Sequence, residues 1–135
     1  IMGSPLIMGC DLRKASEETK KTLLNKDLIA INQDLEARGA YVIKPLPDAY
    51  NENEAFILVK PLADGDLAIG IFNFSDTQRE LSLEFWDMGI PYAAGVSLSL
   101  HDCITGEELG EFTERFAPVV PSHGCVVVRA RIVEK

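Results

Sequence analysis

The sequence has 135 residues, with 21 acidic and 13 basic side chains for a formal net charge of −8, and is 47% hydrophobic and 25% charged. That is enough chain for about one compact domain with a real core, in the proportions of an ordinary globular protein. No basic stripe offers a seat to a phosphate backbone, and no apolar run reaches the ~20 residues of a membrane span, so neither nucleic acid nor a membrane is expected as a partner.

In chain order, Leu6-Ile7-Met8 between Pro5 and Gly9 reads as the end of a short buried strand. Ser16 is a good helix N-cap, and Glu17 and Glu18 then fall in the first turn, where the helix dipole favours anions. Leu23 and Leu24 give that helix an apolar edge. A break near Asn25 precedes a second apolar run, Leu28, Ile29 and Ile31, and Gly39 closes the stretch after Asp34. This is one strand–loop–helix unit, which cannot stand alone: a parallel strand needs neighbours and its helix needs a sheet to cover. The sequence begins at Ile1, not at a start methionine, which agrees with a fragment or with a trimmed numbering.

The texture changes from about Tyr41. Pro45, Pro47, Asp48, Asn51, Glu52 and Asn53 mark a polar loop rich in breakers. Residues 56–60 read as a strand that Pro61 ends. Ala63-Asp-Gly-Asp66 is a strong hairpin turn, with Gly65 supplying positive φ. Residues 67–74 are apolar on both faces, as in a central strand between two layers. Residues 80–85 alternate with one wet face, and residues 86–94 form an insertion. Val96, Leu98 and Leu100 alternate with Ser97, Ser99 and His101 as a half-exposed strand. A turn at Thr105-Gly-Glu-Glu108, a strand region holding Phe112, Phe116 and Val119, and a turn at His123-Gly124 lead into a final strand over 126–133. Six or seven short strands with regular turns predict a mainly β chain folded as an antiparallel β-sandwich. The predicted domains are residues 1–40, an incomplete β/α unit, and residues 41–135, a β-sandwich.

Cys10, Cys103 and Cys125 are odd in number and lack a C-x-x-C pair, so they provide neither a zinc or redox motif nor a disulfide framework. Cys103 and Cys125 read as small buried apolar groups. An odd thiol count favours the cytoplasm. His101 and His123 have no ligand-like companions and read as ordinary hydrogen-bonding residues. Asp64, Asp66 and Glu84 lack the spacing of a calcium loop, and turn chemistry explains the first two. Trp86, Tyr92, Phe85 and Phe74 fit either a sugar-stacking platform or a core, and their place in an alternating apolar pattern favours the core.

The segments Ser4-Pro-Leu-Ile-Met-Gly-Cys-Asp-Leu-Arg13 and Asn25-Lys-Asp-Leu-Ile-Ala-Ile-Asn-Gln-Asp34 resemble the eighth barrel strand and closing helix of the α-galactosidases, or melibiases, of glycoside hydrolase family twenty-seven. The resemblance continues through Val59-Lys-Pro-Leu-Ala-Asp-Gly65 and Gly70-Ile-Phe-Asn73 to Val120-Pro-Ser-His-Gly124, nearly the whole chain. It departs from the family where Leu35-Glu-Ala-Arg-Gly39 replaces Pro-Leu-Gly, and where Leu58 and Ile104 stand at positions often held by tryptophan.

The resemblance implies the last β/α unit of a (β/α)8 barrel joined to the C-terminal β domain of a retaining hydrolase of terminal α-galactosides. Such enzymes use two aspartates about 5–5.5 Å apart, and in this family both lie upstream of the part that matches Ile1. No catalytic residue is therefore expected here. Asp11 and Arg13 are the candidate site residues, at the strand end where barrel enzymes keep their sites. They either touch the rim of a substrate pocket and support groups that do, or form an ion pair that seals the loop. The β domain is expected to support the barrel of the same polypeptide and to shape contacts in a homo-oligomer, with galactoside reached through that barrel. No metal or organic cofactor is implied. The alternatives are a non-catalytic carbohydrate-binding or interaction module, and the same enzyme acting on N-acetylgalactosaminides or another glycan.

Overall fold

The computed structural model describes residues 1–43 and 54–134, and the loop expected at 45–53 lies outside the described residues. Two short helices come first, α1 (Glu17–Leu23) and α2 (Lys26–Asn32). The Ser16 hydroxyl accepts from the Thr19 amide at 3.1 Å, and the two glutamates occupy the first turn of α1. The break falls at Asn25, whose side-chain oxygen accepts from the Asp27 and Leu28 amides at 3.0 Å and starts α2. Both caps satisfy amides that the helices leave without internal partners.

Leu6-Ile7-Met8 forms no strand among the described residues, and Ile7 is 88% exposed. A parallel strand is held by neighbours on both sides, and no described strand lies beside this one.

Ten strands follow among the described residues: β1 (Tyr41–Ile43), β2 (Ala55–Pro61), β3 (Leu67–Asn73), β4 (Arg79–Glu80), β5 (Leu83–Glu84), β6 (Val96–Asp102), β7 (Glu108–Phe112), β8 (Arg115–Phe116), β9 (Val119–Val120) and β10 (Cys125–Glu134). Six of them make an antiparallel sheet in the order β1-β2-β3-β10-β6-β7. β3 is central, as its two apolar faces require, and Gly65 turns the β2–β3 hairpin at φ 88°.

The pairs β4–β9 and β5–β8 form the second layer. Leu81, Leu83, Phe85, Phe116 and Val120 project from it onto Ile57, Val59, Ile69, Ile71, Leu98 and Leu100 of the large sheet. This is the main core of an antiparallel sandwich. The single strand expected over residues 80–85 is interrupted. The Leu81 amide donates to the Pro118 carbonyl at 3.1 Å, but Pro118 has no N–H to return, so the ladder breaks and changes partner from β9 to β8. Phe85 then enters a 3-10 turn, Phe85–Met88, closed by Gly89 at φ 84°.

The opposite face of the large sheet carries a smaller cluster of Ile31, Leu62, Ala68, Cys103 and Val127, with Ile1 and Leu28 packed against it. The helical segment thus lies on the sheet. Ser97, expected on a wet face, is instead fully buried, with its hydroxyl donating to Glu111 of β7 at 3.0 Å. Cys103 is buried as expected, whereas Cys125 is exposed at the start of β10, cross-strand from Phe72 and beyond the helix cluster.

Candidate functional site

Asp11 and Arg13 meet in the 3-10 turn Leu12–Lys14. The guanidinium grips the carboxylate in two-pronged fashion, Nε to Oδ1 at 2.9 Å and Nη2 to Oδ2 at 3.0 Å, and the Arg13 amide adds a third bond to Oδ1 at 3.1 Å. Both residues are exposed. The guanidinium holds the Asp11 carboxyl below its ordinary range, so Asp11 is an anion spent on its neighbour and a poor proton donor.

Asp64 and Asp66, the other close carboxylate pair, are both held by Arg129, with Nε on Asp66 at 2.7 Å and Nη2 on Asp64. Both carboxylates are thus engaged by one guanidinium at the β2–β3 turn, as partners of an ion-pair cluster. No described group of three or more His, Cys, Asp and Glu could hold a metal ion. His123 bonds Asp76 at 3.0 Å, as an ordinary turn residue would.

Phe85 and Tyr92 line one cleft, whereas Phe74 stacks with other phenylalanines. Phe85 is core, while Phe74, with half its surface exposed, stacks with Phe56 and Phe72 at 5.3 and 6.4 Å. Tyr92 lies on a shallow cleft with Ile90, Pro91 and Glu114, its hydroxyl at 3.5 Å from Glu84.

The built polar structure lies where the helical segment meets the sheet. Strand register aligns Lys60 with Ala68, Ala68 with Arg129, Arg129 with His101, and His101 with Glu108. Three basic side chains therefore share one row beneath α2, each with its own acceptor. Lys60, fully buried, donates Nζ to the Ile31 carbonyl at 2.6 Å, at the negative end of α2. Arg129 takes the hairpin aspartates. His101 takes Asp27, in the first turn of α2, at 3.2 Å and Glu108 at 2.8 Å.

Asn25 ties the start of the helix to the Cys103 carbonyl at 2.7 Å. Asp34 accepts from the Ala63 amide through both oxygens at 3.1 Å. Burial, then the nearby Asp27 carboxylate, pushes the Cys103 thiol up to about 11, leaving it protonated and inert.

Sequence reasoning did not assign Lys60, Asn73 or His101 these places. A signal existed for Asn73: it stands in the core-facing phase of a central strand, where a polar side chain must find partners. It finds five, donating toward the Thr77, Val120 and Pro121 carbonyls and accepting from the Ser75 amide and hydroxyl.

Residues 52–130 match the family model described as the alpha galactosidase C-terminal beta sandwich domain, more than half of the chain, and residues 1–34 match the one described as alpha galactosidase A. This chain belongs to the α-galactosidase family. It is 34% identical over 131 residues to the "Probable alpha-galactosidase" of Dictyostelium discoideum, a match covering 95% of this chain and 32% of that protein. It is 32% identical over 139 residues to alpha-galactosidase A of Cellvibrio japonicus, again covering 95% of this chain and 32% of that protein. The crystal structure of alpha-galactosidase I from Mortierella vinacea aligns with a TM-score of 0.81 at 25% identity, covering 95% of this chain and 32% of that one. The matches cover between 19% and 32% of the length of the curated relatives. In this α-galactosidase-family chain the sandwich is thus the C-terminal β domain, and the polar row beneath α2 is where the β/α segment and that domain meet.

Proposed function

We propose that the chain is the C-terminal part of a retaining glycoside hydrolase of terminal α-galactosides, its residues 1–40 completing a catalytic barrel and residues 41–135 supporting it. The observation that carries this reading is the pair of family matches in chain order, on a sequence that covers 19–32% of its relatives' length. The exposures agree: Leu6, Ile7, Met8 and Leu24, all in the N-terminal segment, are each 54–88% exposed, more apolar surface than such a segment leaves open when its neighbours are present. The preceding strands and helices of a barrel would supply those neighbours.

Both carboxylates of the double-displacement reaction then belong to those preceding strands. Asp11 and Arg13 would stand at the rim of the barrel mouth, where their locked ion pair fixes the loop that follows the last strand and borders the substrate. Galactoside meets the protein through the barrel, and the β domain holds the barrel's closing helix in place. The same reading takes the protein as cytoplasmic, in keeping with three free thiols.

The test compares this chain with a longer polypeptide carrying the upstream region, on chromogenic α-galactoside and α-N-acetylgalactosaminide. Turnover of the galactoside by the longer protein alone is expected. Turnover by the 135-residue chain, abolished in Asp11→Asn, would overturn the assignment, and a longer protein active on the N-acetylgalactosaminide alone would change the substrate.

A further inference from the structure

We propose that His101 is a proton-sensed clamp that fastens α2, the closing helix, to the β domain. The geometry carries the argument. Both ring nitrogens face carboxylates, Nδ1 to Glu108 at 2.8 Å and Nε2 to Asp27 at 3.2 Å. A neutral imidazole has one N–H, so it satisfies one carboxylate and turns a lone pair toward the other. Only the doubly protonated ring donates to both. Glu108 is its cross-strand neighbour on β7, within the sheet, whereas Asp27 belongs to the helical segment 74 residues away. Gain or loss of one proton therefore decides whether the His101 ring donates to Glu108 and Asp27 at once, in addition to the β6–β7 ladder and the Asn25 bond to the Cys103 carbonyl.

The charges around the ring favour this role. From α2 comes Asp27, from β7 Glu108, and from β10 the cross-strand Arg129, whose charge is met by Asp64 and Asp66. On its own strand, Asp102 turns its carboxylate to the amides of Ile104 and Thr105. The imidazole side chain is 27% exposed, and its partners Asp27 and Glu108 are 49% and 73% exposed, so solvent reaches and screens both contacts. Its hydrogen bonds to the Asp27 and Glu108 carboxylates raise its proton affinity above the ordinary histidine value.

A group with a raised folded-state value contributes in full below its unfolded value of about 6.5 and loses that contribution as pH climbs through the folded value. The clamp is closed in mildly acidic conditions and opens as the solution turns alkaline.

Hydrogen exchange of the α2 amides, corrected for intrinsic rates, reads the clamp directly, with thermal unfolding of the same chain alongside. From pH 6 to 8.5, wild-type protection should fall by about tenfold for each unit by which the folded value exceeds the unfolded one. His101→Gln should remove that dependence, and His123→Gln should keep it. Asp27→Asn offers an amide that can donate to a neutral ring, so it should hold α2 equally at both pH values. That variant keeps the test open if His101→Gln unfolds. Protection in the Asp27 and His101 variants that falls with pH as steeply as in the wild type would overturn the proposal, as would a His101 NMR titration midpoint at or below 6.5.

Discussion

Replacing Asn73 by alanine removes one amide and its five contacts, although the Thr77 carbonyl keeps the Ser75 hydroxyl at 3.0 Å and the Pro121 carbonyl keeps the Gly124 amide at 3.0 Å. The Nδ2 atom lies 2.8 Å from the Thr77 carbonyl, 3.1 Å from that of Val120 and 3.0 Å from that of Pro121. The Oδ1 atom accepts from the Ser75 amide at 3.1 Å and its hydroxyl at 2.7 Å. A primary amide has two protons, so three carbonyls share two donors and the network amounts to about four full bonds. At about 0.5–1.5 kcal/mol each, Asn73→Ala should cost about 2–6 kcal/mol. For a domain of this size that lowers Tm by on the order of 10 °C or more.

Asn73→Asp is the sharper perturbation. It keeps the shape and the Ser75 bonds, yet points a carboxylate oxygen at three carbonyls in a site 1% exposed. Ionisation there is disfavoured, so the folded-state value of the new carboxyl rises. The variant should be least impaired below about pH 3.9 and lose stability as pH rises through the folded value. At pH 7 it should be less stable than Asn73→Ala. Urea denaturation followed by circular dichroism at pH 4 and pH 7 measures both. An alanine variant within about 0.5 kcal/mol of wild type, or an aspartate variant more stable than alanine at pH 7, would refute the reasoning.

Leu83, 1% exposed in the main core, should cost about 2–5 kcal/mol when cut to alanine, read as a lower urea midpoint with an unchanged m-value. Asn25→Ala loses both the cap of α2 and the bond to the Cys103 carbonyl. About 0.5–2 kcal/mol for the cap and ~1 kcal/mol for the bond should appear first as faster hydrogen exchange in α2. A thiol reagent at pH 8 should label Cys10 fastest, Cys125 more slowly because partial desolvation of the sulfur at the strand start and then Asp102 raise its otherwise exposed thiol, and Cys103 only on unfolding. Equal rates for all three would show that Cys103 is not held inside. Trp86→Ala should leave calorimetric galactose binding to this chain undetectable, as before mutation, and binding lost in that variant would favour a carbohydrate-binding module.

Local signals determined much of this protein. Capping by Ser16 and Asn25, the Asp-Gly turn, the two apolar faces of β3 and the His123-Gly124 turn are decided within a few residues, so they can be read from the chain. The family is legible for a similar reason, since its motifs lie in short contiguous runs along the chain.

What the sequence could not decide is whatever depends on register between distant strands. That Lys60, Arg129 and His101 share one row follows from pairings across four strands, and that α2 lies over this row follows from which sheet face Ile31 and Leu28 cover. The same holds for the split of residues 79–84 into β4 and β5. Period-two alternation foresaw the buried Leu81 and Leu83, but the break depends on the missing N–H of Pro118 across the layer. Cys125 was misread because alternation gives a side chain's face without saying whether that face is covered. A strand's pattern fixes which side a residue points to, and tertiary packing alone decides what it meets there.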